Sequence, residues 1–249
     1  MAKTCIIVPA YNEEERLPLS DFEAWYPSHP DIHILFVNDG STDKTLSILE
    51  KHVLKWPENA SVFDMPKNGG KAEAVRAGTM HILNKSEFNF VGYLDADLAT
   101  PLFEVDHLLS YYEVHSHLQM TFGSRFMRIG AKVKRSTIRH YLGRVFATAA
   151  SMLLQIPVYD TQCGAKTFRS DLAKRIFSEP FISSWLFDVE LMARILSWKG
   201  KKETLQILLE VPLYEWIDKK GSKIKLKHML KVPIELFQIW SNYRKKMKP

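Results

Sequence analysis

Phe90 to Pro101 reads FVGYLDADLATP. Phe90 to Leu94 has the look of a short buried strand, and it runs directly into two carboxylates, Asp95 and Asp97. Thr100 and Pro101 then supply an N-cap and a first-turn proline for a helix expected from Pro101 to about His115. Alternating carboxylates at the carboxyl end of a strand can point at one hard cation. Oxygen ligands suit Mg²⁺ or Mn²⁺, an ion that keeps water and takes up substrate phosphates. A strand-end turn would use the same three letters, so their meaning depends on the rest of the chain.

Upstream, Thr4 to Pro9 (TCIIVP) is an apolar, β-branched run suited to a strand buried on both faces, and it ends in AYNEEER. A dinucleotide fingerprint would need glycines where Tyr11, Asn12 and Glu13 stand. Residues 18–30, with Pro18, Pro27 and Pro30, read as a broken connection. Ile32 to Asn38 is a second buried strand ending in Asp39-Gly40-Ser41, and Thr42 to Val53 has helical spacing. Ser61 to Met65 reads as a third strand leading into Lys67-Asn68-Gly69-Gly70-Lys71 and a helix through Ile82. These glycines with Lys71 look like a phosphate cradle, yet a P-loop would need glycine at Met65 and Ser or Thr at Ala72. An ordinary turn is the plainer reading of Gly69-Gly70 alone.

Downstream, Met120 to Ser124 is a strand, Ile138 to Leu154 a helix, Phe187 to about Trp198 a helix and Thr204 to Val211 a last strand. Strands alternating with helices argue an α/β chain with a mostly parallel central sheet flanked by helices. In such sheets ligands bind outside the carboxyl ends of the strands. Tyr11, Asp39, Lys71, Asp95 and Arg125 all fall at such ends, and this convergence carries more weight than any single motif.

Composition sets the frame. The 249 residues are 46% hydrophobic and 25% charged, enough for one sizeable core. Two cysteines, Cys5 and Cys163, leave no disulfide framework and point to a reducing compartment. Met1 to Ala10 is strand-like rather than a signal peptide, and Val145 to Val158 is too short to span a bilayer. The net charge of +6 is uneven: residues 219–249 carry +9 and the remainder −3. Between Glu113 and Asp160 there is no carboxylate, while Arg125, Arg128, Lys132, Lys134, Arg135, Arg139 and Arg144 all fall there. Both regions call for an anionic partner. From Lys223 onward, basic residues alternate with Leu226, Met229, Leu230, Ile234, Phe237, Ile239 and Trp240. That pattern suits an amphipathic helix on a membrane interface, or equally a helix packed on the body, with Pro233 expected to bend or split it.

VPAYNEEE, VNDGSTDKT, KNGGKAEAVRAG and LDADLATP, in this order, closely resemble the family-2 glycosyltransferases of the GT-A fold. GSR at Gly123 to Arg125, RSTIR at Arg135 to Arg139, DTQCGAKTF at Asp160 to Phe168, FDVEL at Phe187 to Leu191 and GSK at Gly221 to Lys223 are more particular. They resemble the dolichyl-phosphate β-glucosyltransferases and their polyprenyl-phosphate hexosyltransferase relatives. The eukaryotic members carry an N-terminal membrane anchor, for which no counterpart is read here.

The resemblance implies that Pro9, Tyr11 and Glu13 line the nucleotide, that Asp39 accepts a hydrogen bond from the uracil imide, and that Lys71 sits near the base or phosphates. Asp95 and Asp97 would hold the diphosphate through Mg²⁺ or Mn²⁺, a Lewis acid for the leaving nucleotide. The charge pattern adds an acceptor argument. A lipid phosphate is already an anion and needs a cationic seat rather than a general base. Arg125, Arg135 and Arg139 would supply it, with Lys223 a candidate for the same cluster or for the diphosphate. Asp188 would orient sugar hydroxyls, or act as base if the acceptor were a hydroxyl. Asp160 and Gln162 would shape that pocket, although a structural turn accounts for them equally well.

The expected enzyme is therefore an inverting, metal-dependent hexosyltransferase. It would move glucose from UDP-glucose onto a polyprenyl phosphate from a peripheral position on the cytoplasmic face of a membrane. The alternatives are mannosyl transfer from GDP-mannose, or hexosyl transfer to a glycan hydroxyl. The expected organisation is a catalytic domain over residues 1–218, its nucleotide half 1–100 and acceptor half 101–218, followed by a basic membrane-associating tail over 219–249. Nucleic acid is not an expected partner, since no base-stacking or groove-reading module is present, whereas a membrane protein is a candidate one.

Overall fold

Thr4–Ala10 forms β1, a strand buried along nearly its whole length because it lies between two others. On one side it pairs in parallel with β2 (Ile32–Asn38), Thr4 opposite Ile32. On the other it pairs in parallel with β4 (Phe90–Leu94), Thr4 opposite Phe90. β3 (Ala60–Asp64) adds in parallel to β2. β7 (Ala165–Arg169) runs antiparallel to β4, with Leu94 opposite Ala165. The mostly parallel sheet expected from the sequence is thus present, and the same register brings the carboxyl ends of β1, β2 and β4 to one edge.

The computed structural model describes residues 3–85, 88–134, 137–219 and 226–247, with the side chains at 137–140, 142 and 226–230 outside that description. The contacts divide the chain into two units, Met1–Asp106 with Gly164–Pro180, and His107–Cys163 with Phe181–Pro249. The first holds β1, β2, β3, β4 and β7. Its helices are α1 (Leu19–Trp25), α2 (Thr45–Lys55), α3 (Lys71–Lys85) and α6 (Ser170–Ile176). α4 (Phe103–Val114) contains the point where the first unit gives way to the second.

In the second unit, β5 (Met120–Ser124) pairs in parallel with β8 (Leu208–Pro212), and β6 (Lys132–Lys134) with β9 (Glu215–Ile217). α5 (Thr137–Leu154), α7 (Phe187–Ile207) and α8 (Leu226–Tyr243) complete it. The Tyr112 hydroxyl accepts the Thr121 N–H at 3.0 Å, and the Thr121 hydroxyl donates to the Leu108 carbonyl, fastening α4 to β5.

Several elements differ from the sequence reading, each for a local reason. Residues 18–30 contain α1 and a 3₁₀ turn, Tyr26–Ser28, because Pro18 stands before the helix and Pro27 inside the turn rather than mid-helix. Phe22 of α1 is fully buried, its ring 5.1 Å from that of Phe36 on β2. α2 starts at Thr45 instead of Thr42, since the Asp43 carboxylate takes both the N–H and the hydroxyl of Thr45. α4 starts at Phe103, after a turn in which the Glu104 N–H reaches the Pro101 carbonyl, so Thr100 does not cap it. The strand expected from Thr204 begins at Leu208, and it is not the last, since β9 follows it. Gly200, at φ 75°, interrupts α7, and the helix restarts through Ile207, with the Thr204 hydroxyl bonded to the Gly200 carbonyl. α8 runs through Pro233 without splitting. It is held against its unit by Tyr243, whose hydroxyl donates to Glu190 at 3.1 Å, and by Glu235, which accepts the Ser183 hydroxyl. Among the described residues no helix is long and apolar enough to cross a membrane.

Candidate active site

The first unit gathers Pro9, Tyr11, Glu13, Asp39, Lys71, Asp95 and Asp97 at the carboxyl ends of β1, β2 and β4 and the start of α3. Asp39, buried at the end of β2, anchors the Lys67–Gly70 loop. Its carboxylate accepts the Gly69 N–H at 2.6 Å, the Gly70 N–H at 2.9 Å and the Asn68 side-chain amide at 3.0 Å. Burial pushes the Asp39 carboxyl upward against the pull of these N–H groups. Gly40 completes the joint: it is left-handed at φ 62°, and a Cβ there would meet the backbone of Asn68 at 2.5 Å. The glycine pair is therefore anchored to the end of β2 by Asp39, the acidic residue expected to read the base.

The β1 loop is knitted to the β2 loop in the same way. The N–H groups of Asn12, Glu13 and Glu14 donate to Ser41, Thr45 and Asp43 at 3.1, 2.8 and 3.2 Å. In return the Asn12 side-chain oxygen accepts the Thr42 N–H at 2.9 Å and Glu14 accepts that of Lys44 at 3.0 Å. Asn12 itself is left-handed, at φ 51°. The Glu13 carboxylate pairs with Arg16 at 2.8 Å. These crossed bonds hold Tyr11 and Asp39, which are distant in sequence, on one rim.

Asp95 and Asp97 follow β4. Lys71 Nζ lies 2.6 Å from Asp95 Oδ1. Asp97 accepts the Ala99 N–H at 3.0 Å, and the buried Leu98 between them is held left-handed at φ 48°, a strained conformation for a side chain of that size. Burial first, and then the charge of Asp95, push the Asp97 carboxyl above its ordinary range. Two adjoining carboxylates with this mutual repulsion fit a hard divalent cation. Among the described residues no group of three or more His, Cys, Asp or Glu side chains is placed to hold a metal. A pair of carboxylates is a donor set of the kind completed by water and substrate phosphate. Gly164 closes this corner. It precedes Ala165, which faces Leu94 across the β4–β7 ladder, and a Cβ built on it would collide with the Asp95 carboxylate.

In the second unit Arg125, just after β5, is forked on Asp160. Its Nε lies 2.6 Å from Oδ2 and its Nη2 2.7 Å from Oδ1, with the side chains 15% and 10% exposed. The Arg125 N–H also donates to Asp160, and the guanidinium lies 5.4 Å from the Trp216 ring. Asp160 is itself positioned by Glu210, which accepts the N–H groups of Tyr159 and Asp160 at 2.8 and 2.7 Å. Arg125 is therefore engaged by an internal carboxylate. Gln162 donates its N–H to Asp160, while its Nε2 and the Thr161 hydroxyl oxygen are buried without a hydrogen-bond partner among the described residues. Asp188 is buried in the first turn of α7. Two residues on, Glu190 accepts the N–H groups of Ile182 and Ser183 and pairs with Arg194 at 2.8 Å. Arg135, Lys223 and the side chain of Arg139 lie outside the described residues.

Sequence reasoning missed Asn68 and Gly164 as members of the site. Asn68 carried a signal, a short amide inside a glycine loop. Gly164 carried none, because only the antiparallel β7 shows what its missing Cβ leaves room for.

Comparison with solved structures identifies the architecture. A glucosyl-3-phosphoglycerate synthase from Mycobacterium tuberculosis, crystallised with Mn²⁺, UDP and glucosyl-3-phosphoglycerate, superposes with a TM-score of 0.66 at 18% identity, covering 100% of this chain and 81% of that one. The fold is that of the GT-A glycosyltransferases. The model of glycosyl transferase family 2 matches residues 5–177, and the chain belongs to that family and is a glycosyltransferase. A dolichyl-phosphate beta-glucosyltransferase of Trichomonas vaginalis is 32% identical over 97% of this chain and 72% of its own length. One of Saccharomyces cerevisiae is 32% identical over 89% and 69%.

Proposed function

We propose that this glycosyltransferase moves glucose from UDP-glucose onto a polyprenyl phosphate, with inversion at the anomeric carbon and a divalent cation, Mg²⁺ or Mn²⁺, at Asp95 and Asp97. The observation that carries the donor half is the set formed by Asp39, Lys71, Asp95 and Asp97 at the carboxyl ends of β2 and β4 and the start of α3. The similarity to enzymes named for dolichyl phosphate supports the acceptor half.

In this reading Pro9, Tyr11, Glu13 and the Asp39-anchored loop hold the nucleotide. Asp39 keeps one acceptor position on Oδ1 for a base N–H, since each carboxylate oxygen can accept two hydrogen bonds. Lys71 exchanges its Asp95 partner for diphosphate oxygen as the donor enters. A cation held by the two carboxylates supplies Lewis acidity, offsetting charge on the departing UDP. An oxygen of the acceptor phosphate, already anionic, forms the new bond to the anomeric carbon as the bond from that carbon to the diphosphate oxygen breaks. No proton has to be removed, so Asp188 orients the sugar rather than serving as base. With Arg125 forked on Asp160, the cationic seat for the acceptor rests on Arg135, Arg139 and Lys223, while Arg125 and Gln162 shape the turn at Asp160. The basic segment over residues 219–249 associates with the cytoplasmic face of a membrane, where such an acceptor resides, alone or beside a membrane protein.

Radiolabelled UDP-glucose and GDP-mannose, offered with Mg²⁺ or Mn²⁺ and a detergent-dispersed polyprenyl phosphate, test this. Label passing from UDP-glucose into the organic phase, and lost in Asp97→Ala, is the expected result. Nucleotide binding without transfer to lipid phosphate would overturn the acceptor and move attention to Asp188 as base for a glycan hydroxyl.

A further inference from the structure

The second unit leaves apolar side chains in solvent on three of its elements. α5 is the clearest. Ala147, Ala150 and Leu154 form its buried stripe, at the spacing of one helix face. Its other stripe is apolar as well: Val145 is 70% and Met152 75% exposed, two turns apart. A helix apolar on both sides ordinarily has both sides covered. α8 packs on α5 and repeats the pattern, with Ile239 buried while Ile234 and Phe237 are 59% and 62% exposed. The third element is the loop from β5 to β6, where Met127 is exposed and Ile129 fully so. It is tied to α5 through Tyr159, whose ring lies 4.9 Å from that of Phe126 and 4.1 Å from the Arg144 guanidinium.

The charge on these three elements is predominantly positive, the Glu215 carboxylate on β9 being paired with Lys132 at the end of the loop. Residues 114–159 contain no carboxylate, and Arg128, Arg144, Lys231, Arg244, Lys245 and Lys246 are exposed. The single acidic residue of the tail, Glu235, bonds to Ser183 of its own unit. Apolar side chains rimmed mainly by cations suit an interface whose headgroups are anionic and whose interior is hydrocarbon.

We propose that the β5–β6 loop, α5 and α8 together form the docking face for an anionic lipid bilayer, so that the contact is built from three elements rather than from the C-terminal segment alone. This deepens the membrane part of the proposed function and does not depend on the donor sugar or the metal.

The test is co-sedimentation of the full chain with vesicles of phosphatidylcholine alone or mixed with phosphatidylglycerol. The proposal expects binding to the mixed vesicles only, weakened by salt, and about tenfold weaker in each of Met127→Ser/Ile129→Ser, Val145→Ser/Met152→Ser and Ile234→Ser/Phe237→Ser. Loss confined to the last pair would reduce the face to α8 and overturn the proposal. Indifference of the parent chain to both vesicles would also overturn it and leave the face to a protein partner. A second measurement avoids reliance on paired variants. Both native cysteines are buried, so Ile129→Cys labels selectively with an environment-sensitive dye. Its emission should shift blue on adding mixed vesicles, and an unchanged spectrum would remove the loop from the contact. Transfer to a short, water-soluble isoprenyl phosphate, measured in the same variants, reads the chemistry separately from docking.

Discussion

Asp39 Oδ1 and the backbone nitrogen of Gly69 lie 2.6 Å apart, joining the end of β2 to the loop before α3 across thirty residues of sequence. The same carboxylate takes the Gly70 N–H and the Asn68 amide. An asparagine at this position would turn a donor toward donors. Asp39→Asn should cost about 1–3 kcal/mol in urea denaturation, the penalty for buried polar groups left unmatched. The KM for the nucleotide sugar should rise with it. An unchanged urea midpoint would show that the loop is held by other contacts.

Gly164 leaves the space that the Asp95 carboxylate occupies. In Gly164→Ala the colliding partner is a side chain rather than backbone, so the fold should survive while Asp95 is displaced. A displacement of about 1 Å at a reacting centre costs on the order of 10²-fold. We expect kcat/KM to fall by that order with little change in melting temperature. Wild-type kinetics in this variant would contradict the placement of Asp95.

The fork between Arg125 and Asp160 is largely buried, and loss of either partner strands the other. A double-mutant cycle with Arg125→Met and Asp160→Asn, read by urea denaturation, should give a coupling of about 1–3 kcal/mol. Additive single effects would instead free Arg125 for a direct role at a phosphate.

His52 is buried, its Nε2 3.0 Å from the Tyr26 hydroxyl, and burial holds its pKa below the ordinary histidine value. The unfolded chain therefore binds a proton here at higher pH than the native one. Stability from this site is fully present above the unfolded value of about 6.5 and is lost as pH falls from there toward the folded value. Between pH 7.5 and 5.5 the parent should lose more stability than His52→Gln, by at most about 1.4 kcal/mol per pH unit. Equal slopes in chemical denaturation would mean that His52 titrates alike in both states.

The sequence by itself determined the strand at Phe90–Leu94, the parallel β1, β2, β3 and β4, and the ring of polar residues at their carboxyl ends. Short apolar, β-branched runs bounded by turn residues suit strands buried on both faces, and motif order carries the family. It could not show that Asp39 and Gly69 are partners, that Arg125 is answered by Asp160, or why position 164 must be glycine. Those facts arise from pairings between residues roughly thirty to seventy apart, for which local periodicity holds no information. The helix at Leu19–Trp25 escaped for a related reason: prolines that bracket a helix and prolines that break one look alike until the chain is folded. The exposed apolar stripe of α5 is the same kind of case, since only the tertiary structure decided which side of the helix is covered.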